Sequence, residues 1–134
     1  VIAGATPSAE VLSLRSERVV VTGWVDDMRE YYSQSRIFIA PMQIGVGLQN
    51  KLLEAMSMGL PCVTSQLVNN ALNAKENYEI LIGYTPEDYA AHIEALVEDK
   101  EWLLKIAKNG NAFVKKEYSW DTHNSNLEKI IMNT

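Results

Sequence analysis

The sequence predicts a parallel α/β layer fold built from one domain. Two observations carry this. Short apolar runs alternate with longer amphipathic segments, the pattern of parallel strands joined by crossover helices. In addition, 134 residues with 47% apolar and 22% charged side chains describe an ordinary globular chain, long enough for one core and too short for two.

The elements follow in order. Val1-Ile2-Ala3 reads as a buried strand that opens the chain without a leading loop, so the chain is expected to begin in mid-fold. A short helix follows from about Ser8 to Leu14, with Ser8 as its cap. Val19-Val20-Val21-Thr22 is the next strand. Gly23 and Trp24 lead to Asp26-Asp27, whose charges suit the start of a helix reaching about Gln34. Ile37-Phe38-Ile39-Ala40 runs into Pro41, which cannot donate to a ladder and closes the strand. Met42 to Asn50 is a loop, and helical spacing from about Leu48 to Met58 places Leu48, Leu52, Leu53 and Met56 on one apolar face. Gly59 is the expected residue past the helix end and Pro61 the expected stop. Cys62-Val63-Thr64 and Glu79-Ile80-Leu81-Ile82 are buried strands separated by a polar, Asn-rich stretch. Thr85-Pro86 starts a helix to about Glu98, Asp99 caps one to about Glu117, and Ser119 caps a last one to about Met132.

Composition excludes several classes of function. Twelve basic against seventeen acidic residues give a formal charge of −5, so the overall field repels nucleic acid and anionic lipid, and any anion site is local. No apolar run nears the roughly 18 residues of a membrane span, and no leader-like segment opens the sequence, so the expected location is cytoplasmic. The single cysteine, Cys62, forms no internal disulfide and reads as a small core residue. His92 and His123 lack ligand-spaced partners, and no metal site is expected.

In parallel α/β folds ligands lie at the carboxyl ends of strands. The loop after Pro41 reads Met42-Gln43-Ile44-Gly45-Val46-Gly47-Leu48-Gln49-Asn50-Lys51-Leu52-Leu53-Glu54. Gly45 and Gly47 allow positive φ and close backbone approach directly before a helix N-terminus, a geometry that cradles phosphate. Lys51 in a first helical turn is disfavoured by the helix dipole by about 0.3–1 kcal/mol, which a bound anion offsets. Lys51 and Glu54 share one helix face. The loop is neither a Walker loop nor a dinucleotide fingerprint, since no glycine precedes Lys51 and Asn50 stands where a third glycine belongs. Spacing alone therefore leaves two readings open: a phosphate cradle, or a tight strand-to-helix turn with a solvated Lys-Glu pair.

The run from Gly45 to Ser65, which includes Leu53-Glu54-Ala55-Met56 and Gly59-Leu60-Pro61, resembles the donor-binding signature of group 1 glycosyltransferases of the retaining GT4 type. Val19 to Val25, Ile37 to Pro41 and Tyr118-Ser119-Trp120 resemble flanking segments of that family in the right order. The resemblance implies a Rossmann-like parallel sheet with helices on both faces, truncated at the N-terminus by loss of the first strand and helix. It makes residues 1–134 the nucleotide-sugar-binding domain of a larger two-domain GT-B enzyme, bacterial and serving cell-surface glycan or glycolipid synthesis.

By the same resemblance Glu54 binds the ribose hydroxyls of a nucleotide sugar. Gly45, Val46, Gly47 and Leu48 hold the diphosphate with Lys51 as a further contact, and Gly23, Trp24 and Val25 form the base-side loop, where Trp24 either borders the base or packs as core. The family's first glutamate falls on Val46, eight residues before Glu54, which leaves the sugar and the catalytic residues unassigned. No metal or other cofactor is implied. The partners implied are the donor and an N-terminal acceptor domain in cis, the latter also the route to the inner face of the membrane, while the fragment alone is expected to be inactive. Family strand order 3-2-1-4-5-6 makes the absent strand the central one, so the expectation is either pairing of the Val1 and Ile37 strands or a gap that favours a homodimer. The alternative is a non-enzymatic α/β regulatory or assembly module that has lost the donor site.

Overall fold

The computed structural model describes residues 1–45 and 47–132, and the chain divides into two compact units, residues 1–33 and 34–134.

In the first unit Ile2 and Val21 pair as a single parallel bridge. The Ile2 amide donates to the Val20 carbonyl at 2.7 Å and the Thr22 amide to the Ile2 carbonyl at 3.0 Å. The two expected strands are thus reduced to one bridge. The opening segment is not buried as its composition predicts: Val1 is 72% exposed, and of the bridging residues only Val21 is buried. A two-strand pairing has little apolar face to hold it and is marginal by itself. Helix α1 (Ala9–Ser13) starts as expected at Ser8, whose hydroxyl accepts from the Val11 amide. Past its end the Arg15 guanidinium donates to the Val21 carbonyl at 3.0 Å, which ties the turn to the bridge. At the start of α2 (Met28–Gln34) the Asp27 carboxylate accepts from the Arg29 amide at 2.9 Å, the role its charge predicted.

The second unit holds a three-stranded parallel sheet of β1 (Phe38–Ala40), β2 (Cys62–Thr64) and β3 (Leu81–Ile82), in that spatial order. Phe38 pairs with Cys62 and Ala40 with Thr64, then Val63 with Leu81 and Thr64 with Ile82. Within each unit the neighbours are those the expected order gives: the Val1 and Val19 segments side by side in the first, and β1-β2-β3 in the second. Successive side chains of a strand point to opposite faces, and Cys62, Val63 and Thr64 are all buried, so β2 is covered on both faces. On one side Val63 and Leu81 pack with Leu96 of α5 (Pro86–Glu98) and Ile106 of α6 (Lys100–Glu117), with Ile37, Tyr89, Trp102 and Leu103 against them.

Helix α3 (Asn50–Ser57) buries Leu52, Ala55 and Met56. It starts two residues later than its spacing suggests, so Leu48 lies outside the helix and is partly exposed instead of joining the apolar face. At its other end the Gly59 amide bonds the Met56 carbonyl at 3.0 Å and the Leu60 amide the Ala55 carbonyl at 3.1 Å, the paired bonds of a Schellman cap around a left-handed glycine. Helices α5, α6 and α7 (Trp120–Met132) have the predicted bounds. Thr85 and Asp88 form a reciprocal capping box, while Asp99 and Ser119 accept from the amides of Trp102 and Thr122.

One helix escaped the sequence reading. The Asn-rich stretch contains α4 (Gln66–Leu72), capped by Ser65 and closed by Asn73 in the left-handed region. Asparagine disfavours helix interiors because its amide competes for nearby backbone. Here the buried Asn69 amide satisfies that tendency beyond the helix end, donating to the Ala74 carbonyl at 3.0 Å and accepting from the Ala74 amide at 3.1 Å.

Candidate functional site: the glycine loop between β1 and α3

The β1-β2 ladder stops at the Ala40–Thr64 pair just before Pro41, and two hydroxyls at the end of β2 hold the chain there. Thr64 Oγ1, fully buried, donates to the Ala40 carbonyl at 2.9 Å, and Ser65 Oγ donates to the Met42 carbonyl at 2.6 Å. The Ala40 carbonyl also accepts from the Met42 amide at 2.9 Å, which turns the chain away from the sheet. The loop beyond contains two glycines at positive φ, Gly45 at 146° and Gly47 at 84°. Both values lie in the region that side chains disfavour, so the backbone here uses the freedom the sequence provides.

The loop feeds into α3 through Gln49, which makes no side-chain cap; its amide reaches back to the Gly47 carbonyl at 3.4 Å. No acidic residue sits in the first turn of α3, and Lys51 does. Lys51 and Glu54 are both exposed, whereas Leu52, Ala55 and Met56 of the same helix are buried. A helix N-terminus without a side-chain cap, a lysine in its first turn and a bent glycine backbone before it can together receive an anion, and Glu54 one turn on can accept hydrogen bonds from hydroxyls. Gly45, Gly47, Leu48, Lys51 and Glu54 are therefore brought to one loop-helix junction, while Val46 lies outside the described residues.

In the first unit, Gly23 has φ of 74°, and Trp24 is 74% exposed with its indole N–H donating to Asp26 at 3.0 Å. That removes core packing as an account of Trp24. Val25 beside it is half-buried. The other residues weighed from sequence are structural. Burial pushes the Cys62 thiol up, and its Sγ donates to the Leu60 carbonyl. His92 Nε2 lies 2.9 Å from the Ile82 carbonyl, and His123 packs edge-on to Tyr118. Among the described residues no group of three or more His, Cys, Asp or Glu is placed to hold a metal ion, and no helix is long and apolar enough to cross a membrane.

Sequence reasoning missed the groups that hold this junction. Thr64 and Ser65 anchor the loop from the neighbouring strand. Asn111 on α6 donates to the Met56 and Ser57 carbonyls at 3.1 and 2.7 Å, satisfying the far end of α3. A pair of hydroxyls at the end of a buried strand, beside a strand that stops at proline, was the available signal.

The architecture is that of a Rossmann-like α/β protein with a glycine loop at the carboxyl edge of a parallel sheet. The chain belongs to the glycosyl transferases of group 1, whose family model matches residues 1–99. A relative from Escherichia coli, UDP-Gal:alpha-D-GlcNAc-diphosphoundecaprenol alpha-1,3-galactosyltransferase, is 31% identical over 97 residues, covering 69% of this chain and 24% of that protein. Among solved structures, Anabaena HepE in complex with UDP superposes with a TM-score of 0.78 at 17% identity over 87% of this chain and 33% of its own. The C-terminal domain of LpcC, a group 1 family protein from Francisella tularensis, gives 0.66 at 19% identity over 75% and 53%. The chain spans about a quarter of the length of the curated relatives it matches.

Proposed function

We propose that this chain is the nucleotide-sugar-binding part of a two-domain, retaining group 1 glycosyltransferase that transfers a sugar to a cell-surface glycan or glycolipid. The observation that carries the reading is the junction at Gly45, Gly47 and α3: positive-φ glycines, a helix start with no side-chain cap, Lys51 in the first turn and Glu54 one turn on. The family match supports it, as do the sugar nucleotide and lipid-linked acceptor in the name of the Escherichia coli relative and the UDP bound by HepE. The non-enzymatic alternative is not favoured, because the relatives and neighbours found are glycosyltransferases.

In this reading the loop backbone, the α3 N-terminus and Lys51 hold the diphosphate, Glu54 holds the ribose hydroxyls, and Gly23, Trp24 and Val25 border the base. Transfer breaks the bond between the anomeric carbon and the phosphate oxygen and forms one to an acceptor hydroxyl oxygen, whose proton passes to the departing phosphate. The charge left on the departing nucleoside diphosphate is stabilised by amides and the helix end, and no metal or other cofactor is invoked. The acceptor domain completes the cleft in cis, so residues 1–134 bind donor without turning over, and the fragment forms homodimers in its absence. The protein acts in the cytoplasm of a bacterium, reaching the inner membrane face through that domain.

Titration of the chain with UDP and GDP, each compared with Glu54→Ala, tests this. Saturable binding of one nucleotide that weakens at least tenfold in the variant is expected. Equal, millimolar or weaker binding by both proteins removes the donor site.

A further inference from the structure

We infer that Ser65 is a positioning residue for the phosphate-holding loop: from the end of β2 its hydroxyl clamps the Met42 carbonyl and thereby sets the path of the backbone through Gly45 and Gly47. The inference rests on the donor-site reading above and adds a residue that does not touch the ligand. The ladder between β1 and β2 ends at the Ala40–Thr64 pair, because the next amide that could face β2, that of Met42, turns back to the Ala40 carbonyl at 2.9 Å. The chain must leave the sheet there, and glycines at positive φ three and five residues after Met42 have little stiffness of their own. A carbonyl fixed just before them determines where they point. Ser65 supplies that fixed point with a 2.6 Å hydrogen bond across 23 residues of sequence. Its neighbour Thr64 does the same one step earlier, at Ala40. Thr64 thus reinforces the last pair of the β1-β2 ladder, and Ser65 extends the contact beyond it.

Ser65 also caps α4, accepting from the Val68 amide at 3.4 Å. A purely local role would therefore appear in α4, and a positioning role in the loop, which makes the two separable. The 15N order parameters of Gly45 and Gly47, the amide exchange of Val68 and the affinity for UDP and GDP are measured on the whole chain for wild type, Ser65→Ala and Ser65→Thr. Ser65→Ala is expected to lower the order of Gly45 and Gly47 and to weaken nucleotide binding about three- to tenfold, the usual worth of one neutral hydrogen bond. Ser65→Thr keeps the hydroxyl and is expected to restore both.

If Ser65→Ala raises only Val68 exchange while loop order and affinity stay at wild type, the residue is a helix cap and the inference fails, with the donor site intact. Loop order and affinity that move independently of each other also overturn it, as does failure of Ser65→Thr to restore them. Absence of any nucleotide binding by the wild-type chain removes the donor reading itself, and the inference with it.

Discussion

Gly110 of α6 lies against the Glu79 carbonyl so closely that a β-carbon at position 110 would sit 2.7 Å from its oxygen, and 3.1 Å from the Met56 methyl. That closeness packs α6 against both α3 and the segment entering β3. Replacing a helical glycine by alanine normally stabilises by about 1 kcal/mol. Here the sign is expected to reverse. The contacting group is backbone that cannot rotate away, so Gly110→Ala should destabilise by a net ~1–3 kcal/mol, read as a lowered midpoint in urea or thermal unfolding. A stabilised variant would show that α6 can slide without loss.

The Tyr89 hydroxyl is buried without a hydrogen-bond partner among the described residues, while its ring packs on the core of Val63, Leu81, Leu96 and Ile106. Burial pushes its pKa up. Removing only the oxygen keeps the packing and removes a desolvated polar group, so Tyr89→Phe should be neutral or stabilising by up to about 1 kcal/mol. Tyr89→Ala should cost about 3–5 kcal/mol. A clear loss for the phenylalanine variant would reveal a partner for the hydroxyl.

Arg29 holds the Asp27 carboxyl down at about 2, first through its side-chain hydrogen bonds and then through its backbone amide, against an ordinary value of 3.8. The guanidinium meets the carboxylate at 2.7 Å. Since the folded value lies below the unfolded one, this pair's contribution is present above 3.8 and is lost as pH falls through about 2. The group is solvent-exposed and screened, so the effect on global stability should be small. An NMR titration of the Asp27 carboxyl should show the depressed value, and Arg29→Gln should return most of it towards the ordinary range. An unchanged titration in the variant would assign the shift elsewhere.

Cys62 is 1% exposed, and burial alone drives its thiol pKa upward. The thiolate is the reactive form, so native protein should resist thiol reagents at neutral pH. Labelling is expected to follow unfolding, with rates that rise in step with added denaturant. Rapid stoichiometric labelling without denaturant would contradict the close cover of β2.

Sequence alone determined the features whose causes are local. Ser8, Thr85, Asp99 and Ser119 each meet an amide three residues on, so the helix starts could be read directly, and Gly59 before Pro61 marked the end of α3. The glycine loop and the resemblance that identified its family were legible for the same reason: Gly45 to Ser65 is one continuous run. Tertiary structure decided what depends on distant neighbours. Ser65 reaches Met42 across 23 residues and Asn111 reaches Met56 across 55, pairings set by strand register and helix packing that no spacing rule contains. The Val1 strand shrank to a bridge because an apolar run becomes a ladder only where other strands and a core cover it. Helix α4 stayed hidden because buried Asn69 finds its partner at Ala74, beyond the turn where asparagine normally breaks a helix. The glycine loop of the candidate site is thus one local segment, and its geometry is held by groups brought to it from β2 and α6.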